Sequence, residues 1–285
     1  MTKLMMGNDV AKAMKERLIQ DVEALKANGV NPCLSIIRVG ERPDDLAYER
    51  GAKKRMELVG ITCKTIELSE DISQKELEDA IQKANEDTKI HGILMFSPLP
   101  GTLNEEKARQ MIHPLKDVDG MNPVNAAKVF SGDPSGFAPC TPEAVLAMLD
   151  HYGIVLEGKR VVVIGRSKVV GRPLAMLLLA RNATVTICHT RTKELEKTCR
   201  EAEILIAAAG KANMVTKEMI GESAVVVDVG INVDADGNLC GDVDFEDVKQ
   251  KASQISPVPK GVGSVTTSVL AEHVVRGAKY LNTVD

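Results

Sequence analysis

Residues 160–181 read Arg-Val-Val-Val-Ile-Gly-Arg-Ser-Lys-Val-Val-Gly-Arg-Pro-Leu-Ala-Met-Leu-Leu-Leu-Ala-Arg. The groups in this stretch that could do chemistry are those that handle phosphate: Gly165 and Gly171, which let backbone N–H groups approach a ligand, with Arg166 and Ser167 between them. Counted as G-x-G-x-x-G from Gly165, Ser167 and Val170 stand where the second and third glycines belong, and Gly171 falls one residue late. Two readings stay open on these residues alone, a nucleotide site and an ordinary buried strand, loop and helix. An acid about 20 residues beyond such a loop ordinarily holds the ribose hydroxyls of NAD. Here the next strand-like run, Ala183–Cys188, ends instead in His189, Thr190 and Arg191. A hydroxyl and a cation there suit a 2′-phosphate, because guanidinium offers paired donors to a dianion, and NADP is favoured over NAD.

A second concentration of candidate groups lies upstream. Ser97-Pro98-Leu99-Pro100-Gly101 can be neither helix nor inner strand and leaves the C-terminal end of a strand, where open α/β sheets bind ligands. His113 to Gly120 is a second turn-rich, charged segment. Two such loops in one lobe imply a pocket.

These loops need a frame, and the apolar patterning supplies one. Val161–Ile164 is an unbroken β-branched run of the kind buried on both faces of a parallel sheet, and Leu174, Leu177, Leu178 and Arg181 recur at helical spacing after Gly171. Ala183–Cys188, Ile204–Ala208 and Ala224–Val229 read as further strands, with a helix from about Lys193 and a hairpin turn at Asp236-Gly237. Ser256–Gly263 is a rigid, glycine-rich loop, and a helix from about Thr266 closes the chain. Upstream, Val10, Met14, Leu18, Val22 and Leu25 mark a long amphipathic helix stopped at Gly29. Cys33–Val39, Ile61–Leu68 and His91–Phe96 read as strands alternating with two helices. One runs from Pro43 to Gly60 and carries Tyr48 and Met56; the other opens on a Ser73/Glu76 capping box and reaches about Ala84. A short helix leads into His113. Thr141-Pro142-Glu143 supplies an N-cap and a proline for the connecting helix, which continues through Leu149 to Gly153. The order implies α/β lobes of parallel strands covered by helices.

With 285 residues and 44% hydrophobic side chains, the chain has material for real cores. A net charge of -4 and 2% aromatics argue against nucleic acid, which asks for a basic face or stacking platforms. No apolar run reaches the length of a membrane span, and the six cysteines form no C-x-x-C pair, so a reduced, cytoplasmic protein acting on a small molecule is expected, without membrane association.

Six motifs then converge: Gly-Arg-Ser-x-x-Val-Gly-Arg-Pro (165–173), Lys-Asp-Val-Asp-Gly (116–120), Pro-Cys-Thr-Pro (139–142), Val-Asp-Val-Gly-Ile-Asn (227–232), Gly-Asp-Val-Asp-Phe (241–245) and Pro-Val-Pro-x-Gly-Val-Gly (257–263). Together, and collinearly over nearly the whole chain, they resemble the methylenetetrahydrofolate dehydrogenase/methenyltetrahydrofolate cyclohydrolase family. The resemblance implies an α/β protein of two lobes, usually a homodimer through the cofactor lobes. Residues 1–140 would form the folate-binding, catalytic lobe, joined by the returning C-terminal helix 266–285. Residues 141–265 would form a Rossmann-type, doubly wound NADP-binding lobe. It also implies hydride transfer from methylenetetrahydrofolate to NADP, then hydration of the methenyl product, with no metal. By the same resemblance Tyr48 matches the tyrosine that stacks on folate and Asp119 the aspartate that binds the pterin ring. Phe96, Pro98, Leu99 and Gly263 fall on the substrate side. Arg166 and Ser167 match the phosphate site, and Gly210, Gly230, Ile231 and Thr266 fall where the family meets the cofactor.

The departures from the family pattern lie on the substrate side. The catalytic lysine one helical turn after the tyrosine is Ala52 here, and its supporting glutamine is Phe96. The serine three before the tyrosine is Asp45, and Lys260 and Ser264 alter the last loop. Lys53 is adjacent to Ala52, but one residue turns a side chain by roughly 100° around a helix. Tyr48, Lys53 and Asp119 are the catalytic candidates. The expected function is an NADP-dependent methylenetetrahydrofolate dehydrogenase whose hydration step is in doubt. The alternatives are a dehydrogenase for another substrate and an NADP-binding pseudoenzyme.

Overall fold

The computed structural model describes residues 2–234 and 236–282. The chain divides into two compact units, one made of Ala13–Cys140 with the C-terminal helix from Thr267, the other of Thr141–Thr266 with the N-terminal residues up to Lys12. The expected lobe 1–140 therefore loses its first dozen residues. The cause is a two-residue strand, Lys3–Leu4, that pairs in parallel with Gln254–Ile255, and the Met5 N–H donates to the Ile255 carbonyl at 2.8 Å. So short a strand leaves no periodicity to read.

In the first unit Cys33–Val39 is the central strand, paired in parallel with Thr62–Leu68 on one side and Gly92–Met95 on the other. It is buried along its whole length, as its apolar run demands. The helix Pro43–Val59 starts on proline and stops where Gly60 takes a left-handed φ of 79°. The helix Gln74–Glu86 starts on the Ser73/Glu76 capping box and turns Leu77, Ile81 and Ala84 onto Ile37, Ile93 and Met95. A helix over Pro123–Ser131 is capped by the Asn122 carboxamide accepting from the Val124 N–H at 2.8 Å, and leaves Val124 and Phe130 exposed.

The Lys-Asp-Val-Asp-Gly segment is locked against the sheet edge. The Ile93 N–H donates to the Lys116 carbonyl at 2.6 Å, and Ile93 bridges Asp117 in parallel. The buried Lys116 ammonium donates to the carbonyls of Ala84 (3.3 Å), Asn85 (2.7 Å) and Asp87 (2.8 Å), which closes the C-terminal end of the helix Gln74–Glu86. A cation there also meets the negative end of the helix dipole.

The second unit holds a six-stranded sheet in the order Lys3–Leu4, Gln254–Ile255, Val225–Asp228, Ile204–Ala207, Arg160–Ile164, Thr184–Cys188, parallel throughout. The helices Cys140–His151, Gly171–Ala180 and Leu195–Arg200 connect its strands, and an antiparallel hairpin, Asn232–Val233 with Leu239–Cys240, turns through Gly237 at φ 82°. The connecting helix starts at Cys140, a residue before the Thr141 cap expected, because the Cys140 N–H is taken by the Asp119 carboxylate at 3.4 Å.

Lys116→Ala would strip three buried carbonyls of their donor. The expected cost is about 1.5–3 kcal/mol of unfolding free energy, read as a lower urea midpoint at unchanged slope.

Candidate active site

The nucleotide unit builds its site at the carboxyl ends of the parallel strands. The chain leaves Arg160–Ile164 at Gly165, with φ 129°, where a Cβ would overlap the Ala208 carbonyl. It enters the next helix at Gly171, where a Cβ would overlap the Gly165 carbonyl. Both positions exclude side chains, so the loop between them presents backbone close to any ligand. Ser167 Oγ accepts from the N–H of Val170 at 3.0 Å and, more weakly, from that of Gly171 at 3.4 Å, fixing the loop from within. The Gly165 N–H donates to the Cys188 carbonyl at 2.9 Å, so Arg166 and the His189–Arg191 turn leave adjacent strands at one end of the sheet. Arg166, Thr190 and Arg191 are exposed, as are Lys168 and Arg172, which the sequence reading passed over although they flank the same glycines. None of these four cations has an ion-pair partner among the described residues, an arrangement that raises local anion concentration and fits a phosphorylated dinucleotide.

Two buried acids shape the neighbouring loops, and the sequence reading gave them no role. Asp228 accepts from the backbone N–H groups of Gly230 (2.9 Å), Asp242 (3.0 Å) and Val243 (3.0 Å). Asp242 accepts from those of Ala209 (2.5 Å), Gly210 (3.0 Å) and Lys211 (2.8 Å), and from the Asn232 amide at 2.9 Å. Burial pushes the Asp228 carboxyl up to about 6 against the pull of its three N–H donors, and the charge of Asp242 adds to the rise. The signal was available: an acid ending an apolar strand, beside glycine, is the residue type that accepts from loop amides. This pair holds Gly210 and Gly230 in place. A cavity of about 230 Å³ brings Gly230, Ile231 and Gly263 together, and Ile231 is 68% exposed beside it. Gly263, expected on the substrate side, thus lies with cofactor candidates. Thr266 is buried and its hydroxyl donates to the Gly263 carbonyl at 3.2 Å, so it secures that loop.

In the other unit the 116–120 segment is organised by alternation. Asp117 points inward, where burial raises its carboxyl and the N–H groups of Met121 (3.1 Å) and Asn122 (2.8 Å) and the Asn125 amide (2.8 Å) pull it back. The Val118 carbonyl meets His273 Nδ1 at 2.7 Å and accepts from Cys140 Sγ at 3.4 Å. Beneath them Phe137 sits edge-on to His273 and under the Arg276 guanidinium, 4.1 Å from its centroid. Asp119 is half-buried, and its carboxylate accepts from the Cys140 N–H at 3.4 Å. Its carboxyl is held up to about 6, first by burial and then by the like charge of Asp117.

Tyr48 is half-buried and meets the buried Phe96 ring edge to face, centroids 5.9 Å apart. Pro98 is exposed; its carbonyl accepts from Arg42 at 3.1 Å, while Leu99 packs on the core. Ala52 is fully buried. Lys53 turns to the other flank of the helix, where its ammonium pairs with Glu49 at 2.5 Å. Glu49 in turn accepts from Arg38 (2.8 Å) and Thr65 (3.0 Å). That network lies over the strand Thr62–Leu68, away from the Tyr48–Phe96 pair.

A parallel sheet ending in a glycine loop ringed by unpaired cations defines a dinucleotide-binding protein of the Rossmann class. The tetrahydrofolate dehydrogenase/cyclohydrolase NAD(P)-binding domain matches residues 139–282, and the catalytic domain of the same family matches residues 5–119. The bifunctional protein FolD of Clostridioides difficile (strain 630) is 54% identical over 280 residues, 98% of each chain. The crystal structure of the bifunctional FolD methylenetetrahydrofolate dehydrogenase/cyclohydrolase from Campylobacter jejuni superposes with a TM-score of 0.96 at 42% identity, covering 98% of this chain and 99% of that one. The Trypanosoma brucei enzyme complexed with NADP cofactor and inhibitor superposes at 0.92 and 35% identity, covering 98% of both chains. The chain belongs to the tetrahydrofolate dehydrogenase/cyclohydrolase family.

Removing one charge-assisted contact costs about 1.5–3 kcal/mol. Arg166→Ala should therefore lower the kcat/KM preference for NADP over NAD by roughly tenfold or more. An unchanged ratio in a side-by-side kinetic comparison would remove Arg166 from the 2′-phosphate site.

Proposed function

We propose that this chain oxidises methylenetetrahydrofolate with NADP and releases the methenyl product without catalysing its hydration. The observation that carries the first half is the glycine loop with its four unpaired cations, and for the second half it is Ala52, buried with no group that exchanges a proton. Arg166, Ser167, Thr190 and Arg191 hold the phosphates, with Gly210, Gly230, Ile231 and Thr266 along the rest of the cofactor. The chemistry NADP supplies is acceptance of a hydride at its nicotinamide ring. Tyr48 stacks on the folate, and Asp119 accepts hydrogen bonds from the pterin N–H groups.

Hydride transfer asks the chain mainly to position one carbon. Hydration asks for a base that activates water, and general-base assistance is typically worth about 10² to 10⁴ in rate. Phe96 offers an apolar edge to Tyr48 in place of a hydrogen-bonding partner, and Lys53 is engaged with Glu49. We further infer a homodimer through the nucleotide unit, whose edge strand Thr184–Cys188 is uncovered on one side and carries the exposed Ile187, with Leu179 exposed on the preceding helix.

Methylenetetrahydrofolate turnover followed by absorbance should show NADPH and methenyl compound accumulating together, with hydration no faster than in buffer. Ala52→Lys with Phe96→Gln should accelerate hydration. Fast hydration by the unmodified chain, abolished by Lys53→Ala, would sink this reading.

The Asp119 carboxylate accepts most strongly from N–H groups when ionised, and protonation turns one of its oxygens into a donor. With its folded value raised to about 6 by burial, tetrahydrofolate affinity should hold above that pH and fall as the pH drops through it. A titration series from pH 7.5 to 4.5 on the wild type and Asp119→Asn, in which only the wild type follows that curve, is the check.

A further inference from the structure

The helix Pro43–Val59 carries a cation that the reading above leaves without a role. Among the described residues Arg55, Arg109 and Arg276 each have an Nε shut off from water and without an acceptor. Arg109 is engaged through its other nitrogens, donating to Ser97 Oγ at 3.0 Å and pairing with Glu105 at 2.5 Å. Arg276 donates to the Gly136 carbonyl at 2.7 Å and lies over the Phe137 ring. Arg55 is half-buried, and its guanidinium makes no hydrogen bond and joins no ion pair among the described residues. Burial pushes it below the ordinary arginine range, and no carboxylate offsets the shift. A guanidinium removed from water without acid or carbonyl suits an anion that the chain itself does not supply.

The helix register says where that anion lies. Arg55 follows Tyr48 by seven residues, which is two turns, about 10.5 Å of rise and within roughly 20° of the same direction around the axis. Glu49 and Lys53 pair with each other on the opposite flank. Helical side chains lean toward the N-terminus of their helix, so Arg55 reaches back over the turn that separates it from Tyr48. Gly51 and Ala52 lie between the two, at i+3 and i+4 from Tyr48 and at i−4 and i−3 from Arg55. Ala52 is fully buried, while Gly51 is exposed and a Cβ there would meet nothing within 4 Å. A glycine inside a helix is a loss of stability, and no crowding within the chain requires this one. The flank therefore presents an aromatic ring, a floor without a side chain and a cation, in that order along the axis.

Resting on the assignment of this chain as a methylenetetrahydrofolate dehydrogenase in which Tyr48 stacks on the folate, we propose that Arg55 binds a carboxylate of the substrate's glutamate tail. A folate ends in a benzoyl ring joined through an amide to glutamate, whose carboxylates are ionised at neutral pH. With that ring against Tyr48, the extended amide runs along the helix over Gly51 and delivers a carboxylate to Arg55. Guanidinium offers paired donors matched to a carboxylate, and it holds its proton at any working pH. The contact is remote from the carbon that gives up the hydride. It is made equally in the ground state and the transition state, so it tightens binding without speeding the chemical step.

The test titrates the full-length chain with tetrahydrofolate and with tetrahydropteroate, the same compound without its glutamate, with NADP titration and thermal melting as controls on the fold. The wild type should bind tetrahydrofolate about 10- to 100-fold more tightly than tetrahydropteroate. Arg55→Ala should bind the two alike, with its tetrahydropteroate affinity that of the wild type, and in turnover should raise KM for methylenetetrahydrofolate by the lost factor at nearly constant kcat. Arg55→Lys, which keeps the charge, should recover part of the preference. Gly51→Leu, whose side chain has open space to enter, should weaken tetrahydrofolate without lowering the melting temperature. A wild type that binds the two compounds equally, an Arg55→Ala chain that keeps the preference, or unhindered binding by Gly51→Leu would overturn the assignment of Arg55. Arg55→Gln, read by the same two titrations, serves if the alanine variant does not fold. A wild type that binds neither compound would count against the functional reading instead.

Discussion

A carboxylate taken out of water has to recover its lost hydration from protein donors, and the loops that carry both candidate sites are built on that requirement. Asp228 and Asp242 gather N–H groups from the loops after Ile204–Ala207 and Val225–Asp228, so the backbone at Gly210 and Gly230 has one arrangement in which these acids are satisfied. Asp117 does the same for 121–125. Replacing any of the three by an apolar residue would leave a cluster of unmatched amides, a larger loss than one hydrogen bond.

Against that background the unsatisfied charges acquire meaning. Acids with structural work have their donors: Asp117, Asp228 and Asp242 each accept from several N–H groups, and the half-buried Asp119 accepts from the Cys140 N–H. Among the cations, Lys116 and Arg38 are enclosed by carbonyls and carboxylates, whereas Arg166, Lys168, Arg172 and Arg191 have no ion-pair partner among the described residues. Exposed positive charge is therefore concentrated at the glycine loop of the nucleotide unit.

Most of the frame was legible in the residues, because strands such as Val161–Ile164 are continuous β-branched runs and helix ends carry glycine, proline or a capping box. The two-residue strand Lys3–Leu4 was not, since its only information is a partner 251 residues away; nor was Pro123–Ser131, a helix of 9 residues, too short to establish a long apolar period. In the site, glycines and cations could be read from type and spacing. What could not be read was the state of each carboxylate: Asp45, Asp117 and Asp119 are the same residue type within turn-rich or helical context. Only the donors around them separate a loop organiser from an acid left for a ligand.

Ala52 and Phe96 belong together for a physical reason. A lysine at a fully buried position needs acceptors for its ammonium, and a glutamine beside it could supply one; once the lysine is gone, a buried amide at position 96 would itself be left partly unmatched. Phenylalanine removes that liability and recovers an edge-to-face contact with Tyr48. The two positions should therefore be strongly non-additive, with Ala52→Lys alone costing stability through a buried, unpartnered amine and Phe96→Gln alone through a lost ring contact, while the pair restores a matched polar couple.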